Sequence, residues 1–281
     1  MPSIVLLVGD KGGIGKSTWA RAFADLCRAS GVKVGLFDGD WSCRSLFRMF
    51  CEWSPDGTVI PLERQNPRTG CVLYDLRHRD LGRDLLLDSM GLRGIDIFLH
   101  DLPSGFRSDL VNVMGIPQVG RAIAEFVRSC QGIGVRPVFV APLTANWTTH
   151  QTAVWLAENA PAPAAVLAVR NEQYGESAFA VWRSGDRERF LQAGGIEIAM
   201  PNLEAQTFLN SDVLASRFSA LAGSDKVSMA DRMRIGSWLR RFADEVRPLA
   251  SVFGVERWPS SGPLAGGEAP PVVEVAAGGQ R

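Results

Sequence analysis

Gly9-Asp10-Lys11-Gly12-Gly13-Ile14-Gly15-Lys16-Ser17-Thr18 lies between the apolar run Ile4–Val8 and a helix-like pattern over Ser17–Ala29. Glycines at this density let the backbone curl so that successive N–H groups converge on one anion. The helix that follows adds the partial positive charge of its N-terminus. Lys16 is placed to reach the β- and γ-phosphates of a nucleotide, and the Ser17 hydroxyl to bind Mg²⁺. The strict phosphate-loop pattern, G-x-x-x-x-G-K-[ST], has Asp10 in place of its first glycine, and a second lysine, Lys11, precedes the glycine pair.

Outward from this loop the chain alternates. Ile4–Val8, Val32–Phe37, Ile95–Leu99, Arg136–Ala141, Ala164–Arg170 and Ile196–Ala199 read as buried strands, short apolar runs bounded by turn signals. Helical spacing predicts helices over Ser17–Ala29, Arg79–Met90, Gly120–Cys130, Thr149–Asn159, Gly185–Ala193, Glu204–Leu221 and Met229–Phe253. The stretch 51–70, rich in Pro, Gly and polar residues, reads as irregular. Strands alternating with helices imply a doubly wound, mostly parallel sheet with helices on both faces. The expected organisation is one P-loop domain over 1–255. A Pro/Gly-rich tail over 256–281 is expected to be disordered.

The segment Lys11–Thr18, K-G-G-x-G-K-S-T, resembles the deviant Walker A motif of the ParA/MinD family of P-loop ATPases. Two further motifs follow in that family's order. Asp38-Gly39-Asp40 after the second strand is similar to its D-x-D, and Ile97–Leu99 leading to Asp101-Leu102-Pro103-Ser104-Gly105 to its D-x-P-x-G. The resemblance implies ATP and Mg²⁺ as cofactors, cradled by Gly12, Gly13, Ile14, Gly15, Lys16, Ser17 and Thr18. It implies Lys11 as a lysine reaching the nucleotide of the other subunit in an ATP-dependent homodimer. It puts Asp38 and Asp101 near the metal with Ser17, and Asp40 at the attacking water. Asn171, after Val166–Arg170, is similar to a base-contacting Asn, although an Asn there also suits a turn. Pro201, in Ile198–Asn202, resembles the loop bordering the base. Asp10 departs from the family's Gly or Gln, and Trp41-Ser42 from its Pro-Gln.

The implied activity is a slow, partner-stimulated ATPase acting as a dimerising switch that positions or recruits cargo through an adaptor protein. Plasmid partition or conjugative transfer is favoured. The alternatives are a P-loop enzyme of the amide-synthase type that phosphorylates a small substrate, and a weakly hydrolysing subunit of a larger complex. Composition sets outer bounds. Thirty basic and thirty acidic residues give no net charge, which excludes binding of nucleic acid by bulk charge. A local patch remains: Lys226, Arg232, Arg234, Arg240, Arg241 and Arg247 stand against Asp231, Asp244 and Glu245, a pattern that suits either nonspecific DNA or a solvated helix face. Five scattered cysteines read as reduced thiols, and three scattered histidines give no zinc pattern. No apolar run is long enough to span a membrane, so a cytoplasmic location is expected, on the nucleoid if DNA is bound.

Overall fold

The computed structural model describes residues 1–256 and 258. Seven parallel strands form one sheet: β1 (Ser3–Leu7), β2 (Val34–Asp38), β3 (Val72–Leu73), β4 (Ile97–Asp101), β5 (Arg136–Leu143), β6 (Ala165–Asn171) and β7 (Ile196–Met200). Their spatial order is β3-β2-β4-β1-β5-β6-β7, so β1 lies centrally and the strand order reverses beside it. In open sheets of this kind ligands gather outside the carboxyl ends of the strands at that reversal. The doubly wound α/β fold expected from the sequence is the fold observed.

Strand pleating divides the core. Val5 and Leu7 of β1 point to one face with Leu36, Leu99 and Val140, while Ile4 and Leu6 point to the other with Phe98 and Phe139. The first face is covered by α1 (Lys16–Ala29), α2 (Ser45–Phe50), α9 (Phe218–Ala222) and α10 (Met229–Val246). The second is covered by α3 (Leu85–Asp88), α4 (Phe106–Met114), α5 (Val119–Gly132), α6 (Trp147–Asn159) and α7 (Arg187–Gln192). Helix α5 shows why such segments fold as they do: Ala122, Ile123, Phe126, Val127 and Cys130 recur on one face and all are buried. Caps fix helix starts. Asn146 accepts from Thr148 N ahead of α6, and Ser228 from Asp231 N ahead of α10.

Several expected helices are broken, each by a backbone constraint. The helix expected over Arg79–Met90 is a 3₁₀ turn (Arg79–Leu81), then α3, then a second 3₁₀ turn (Ser89–Gly91). Gly82, at φ +89°, interrupts it in the left-handed region. Glu204–Leu221 divides into α8 (Ala205–Val213) and α9, with Ala215 at φ +45° between them. Met229–Phe253 ends as α10 at Val246, because Pro248 offers no N–H to continue it. Helices α2 and α4 and the short β3 went unexpected. The stretch 51–70 is irregular as read, with one bridge (Trp53 to Val59) and a 3₁₀ turn (Leu62–Arg64).

Ile235, Trp238, Leu239, Phe242 and Val246 of α10 are buried, so its apolar stripe is spent on covering the sheet. Trp19 and Phe23 of α1 stack at 4.7 Å, and Phe23 also meets Phe253 and Trp258. Trp258 is thus buried against the core, although the sequence reading places it in the tail. The rest of that expected tail, from Pro259 on, lies outside the described residues.

Phe23 holds the phosphate-side helix to the last segments of the chain. Phe23→Ala should destabilise the protein by about 3–5 kcal/mol, the usual cost of emptying an aromatic site in a packed core. The check is the urea unfolding midpoint, which should fall with little change in slope.

Candidate nucleotide site

Five segments that leave the carboxyl ends of strands converge. They are the loop 9–15 after β1, Asp38–Asp40 after β2, Asp101–Gly105 at the end of β4, Asn171 at the end of β6, and Met200–Pro201 at the end of β7. Lys16 starts α1 and Gly15 caps it at φ +102°. That left-handed turn needs glycine, and the space needs it too: a Cβ at Gly15 would stand 2.8 Å from both Asn171 Nδ2 and Met200 Cε.

Lys16 is buried, its amine donating to the Lys11 carbonyl at 3.4 Å and to Ser104 Oγ at 3.3 Å. Both contacts are long for a charged donor. Burial pushes the amine's pKa down, and the charges of Asp101 and Asp40 pull it back up. Lys11 itself is exposed, as are Gly12 and Gly13, while Ile14 is buried.

The strand register sets Asp38 opposite Asp101 on the face that carries α1. Both carboxyls are buried, and burial, the largest cause, raises both. Asp101 is pushed up to about 6, against the opposing influences of the Ser17 hydroxyl and the Lys16 charge. Mutual repulsion is the next cause acting on Asp38. The two carboxylates differ in their partners. Asp38 accepts from Asp40 N at 3.1 Å and from Phe47 N at 2.9 Å, so it holds the turn and the first turn of α2 together. Neither buried oxygen of Asp101 completes a hydrogen bond of good geometry, although the Ser17 hydroxyl is near enough to favour its ionised form. A buried carboxylate without partners is costly, and a cation beside it would relieve that cost. Ser17 and Asp101 therefore fit a Mg²⁺ ion, with Asp38 alongside. Asp40, half-buried, accepts from Ser42 N and Cys43 N on Oδ1, which shapes the turn after it.

On the other side of the loop Asn171 donates from Nδ2 to the Ile14 carbonyl at 3.2 Å and accepts from Gln173 N on Oδ1. It closes a turn, one of the two roles open to it in the sequence, and it also braces the glycine loop at Ile14, a contact the sequence did not mark. Beside it lies a cavity of about 310 Å³ whose lining includes Thr18, Asn171, Met200, Pro201, Phe208 and Trp238. An apolar wall with a few amides is what a nucleobase takes. Trp238 anchors this wall, its indole donating to the Pro201 carbonyl at 2.6 Å.

The structure thus brings the residues that the resemblance implies for nucleotide and metal to one edge of the sheet, with Lys11 at the rim, whereas the basic residues from Lys226 to Arg247 lie on and beside α10. It adds residues the sequence did not mark. Ser104 touches Lys16, and Tyr174 donates to the Gly13 carbonyl at 3.2 Å. Met200 packs against Gly15. Ser104 and Met200 had a signal, their places inside the Asp101–Gly105 and Ile198–Asn202 stretches, and Tyr174 had none. Among the described residues no cluster of three or more His, Cys, Asp or Glu side chains is arranged to hold a metal by itself. No helix among them is long and apolar enough to cross a membrane.

No protein-family model matches the chain, and no curated protein matches it in sequence. Among solved structures it is similar to the MinD cell division protein of Aquifex aeolicus, with 14% identity over 86% of this chain and 97% of that one and a TM-score of 0.45. The MinC:MinD complex of the same organism gives 14%, 86%, 96% and 0.45. A nucleotide-binding protein from Archaeoglobus fulgidus, in complex with ADP, gives 18% identity over 75% of this chain and 86% of that one, with a TM-score of 0.40.

The raised pKa of Asp101 has a sign. The unfolded chain ionises an aspartate near pH 4, whereas the fold retains this proton to about pH 6. Folding therefore loses stability from about pH 4 to pH 6 and regains none above. Asp101→Asn should stabilise the nucleotide-free protein at pH 7–8 by up to about 3 kcal/mol, the advantage fading as pH falls toward 4. Melting temperatures of both proteins across pH 4–8 check this.

Proposed function

We propose that this protein is an ATP-dependent, dimerising switch with slow hydrolysis. The observation that carries the reading is the pairing under the glycine loop. A buried Lys16 held only by long contacts stands beside a buried Asp101 that completes no hydrogen bond of good geometry, and Gly15 joins both to an apolar cavity through Asn171 and Met200. A triphosphate on the loop would give Lys16 its counter-charge, and the base would enter the cavity at Thr18, Asn171 and Pro201. Ser17 and Asp101 would hold Mg²⁺, which would supply charge neutralisation. Asp38 holds the turn that presents Asp40, and Asp40 orients the water that attacks the γ-phosphorus as the bond to ADP breaks. Lys11, exposed at the rim, reaches the nucleotide of a second copy.

The competing reading, phosphorylation of a small substrate, finds less support. Helices α9 and α10, which follow β7, are used to cover the sheet, and among the described residues they form no separate substrate unit. A switch of this class acts on cargo through a partner protein, and plasmid partition or conjugative transfer is the use we favour. Nonspecific DNA is the proposed second partner. Arg234, Arg240 and Arg241 are exposed on α10 with Asp244 among them, while Glu245 turns inward to accept from Ala199 N.

Lys16→Ala should abolish ATP binding, Asp40→Ala should bind ATP yet hydrolyse it at least tenfold more slowly, and Lys11→Ala should bind ATP without dimerising. Calorimetry, phosphate release and light scattering check the three in turn. Undiminished ATP affinity in Lys16→Ala would remove the phosphate loop from the site.

With a nonhydrolysable ATP analogue bound, Arg240→Glu/Arg241→Glu should lose most of its affinity for duplex DNA, and wild-type binding should fall steeply with salt, because release of phosphate counterions drives it less at high salt. A titration at two salt concentrations reads both. Equal affinity of variant and wild type would leave α10 a solvated cover and the partner a protein.

A further inference from the structure

Asp10 occupies the first position of the phosphate loop, but its carboxylate faces away from it. Oδ2 accepts from Arg107 Nη2 at 2.5 Å and from Thr152 Oγ1 at 2.8 Å. Arg107 is the second residue of α4, so it follows directly on the Asp101–Gly105 loop, and its guanidinium lies over the Trp155 ring at 5.5 Å. Thr152 and Trp155 belong to α6. The start of the phosphate loop is therefore tied to the start of α4 and to α6 through one carboxylate.

The same two segments meet again one step inward. Gly105 N donates to the Gly9 carbonyl at 3.0 Å, and Ser104 Oγ receives the Lys16 amine. Two donors beside the loop are thus engaged by the protein itself, the Gly105 N–H fully and the Lys16 amine through long contacts. A terminal phosphate brings three acceptor oxygens and more negative charge than a diphosphate, so it draws more on these donors. To use the Gly105 N–H, it must part Gly105 from Gly9. Arg107, two residues beyond Gly105 and held at Asp10, resists that separation.

We propose that Asp10 and Arg107 form a latch between the phosphate loop and the Asp101–Gly105 loop, one that favours diphosphate over triphosphate and so sets the threshold of the switch. This inference rests on the nucleotide-binding reading. Asp10 is a positioning residue in it, acting through Arg107 and touching no phosphate. The pair is partly exposed, at 22% for Asp10 and 40% for Arg107, so solvent screens it and it can open. An exposed pair of this kind shifts an equilibrium by at most about fivefold.

The test compares affinities of the full-length protein for a nonhydrolysable ATP analogue and for ADP, both with Mg²⁺, by displacement of a fluorescent nucleotide. Wild type, Asp10→Asn, Arg107→Met and the double variant are measured together. Asp10→Asn keeps the shape and the acceptor for Thr152, so folding is preserved. Each single variant should raise the triphosphate-to-diphosphate affinity ratio about three- to fivefold, and the double variant no further, because the two side chains form one contact. Arg107→Lys should restore part of the wild-type ratio. A structural role alone would lower the melting temperature and weaken both nucleotides alike. An unchanged ratio in Asp10→Asn and Arg107→Met overturns the latch while leaving the nucleotide site intact. Wild type that binds neither nucleotide overturns the nucleotide reading itself.

Discussion

Charge buried at the carboxyl end of the sheet is the constraint on which the rest of the structure depends. Lys16, Asp38 and Asp101 are drawn together by the register of β1, β2 and β4, on the face covered by α1. Removing such groups from water is expensive unless they find partners. Asp38 finds two backbone N–H groups, Lys16 finds two long contacts, and Asp101 finds none of good geometry. The fold thus carries an electrostatic cost at one place that a bound cation and polyphosphate would relieve. Stability given up at a site and regained on binding is what lets a ligand shift a conformational equilibrium.

The rigid parts of the molecule sustain that cost. Both faces of the sheet are sealed by aromatic packing, with Trp19, Phe23, Trp238 and Phe242 on one side and Phe106, Phe126, Phe139 and Trp182 on the other. The phosphate loop joins regular structure only at its end, where the Gly15 carbonyl accepts from Trp19 N. It is held from outside, by Asn171 at Ile14, Tyr174 at Gly13, Gly105 at Gly9 and the Asp10–Arg107–Thr152 contacts. These braces come from β6 and its exit, from the loop after β4, and from α4 and α6. A change in any of those elements is therefore felt at the loop, a direct physical route between site and surface.

His100 shows how close polar structure and site can lie without sharing a task. It neighbours Asp101 in sequence, but strand alternation turns it to the other face. There it stacks on Phe37 at 4.6 Å and bonds to Tyr74 and Ser89. Burial holds its pKa down to about 3, so it stays neutral and serves as core. One residue's difference in register separates a structural imidazole from a carboxylate exposed to the site's chemistry.

Local sequence determined the strand–loop–helix unit at Gly9–Thr18 and the parallel alternation. Short apolar runs between glycines, and helices with one apolar stripe, have few other ways to bury their surface. It also marked Asp38, Asp40 and Asp101, because they follow the glycine loop in the order of the D-x-D and D-x-P-x-G motifs they resemble. Tertiary structure alone decided the rest. Gly82 and Pro248 are helix breakers readable in the sequence where the apolar periodicity runs past them, whereas nothing local marked Ala215, whose left-handed backbone separates two helices. The partners of Asp10 lie 97 and 142 residues away, so the direction of its carboxylate was not legible in the loop. The contrast between Asp38 and Asp101, alike in sequence setting, arises from where α2 begins: its first turn presents Phe47 N to one carboxylate and no N–H to the other.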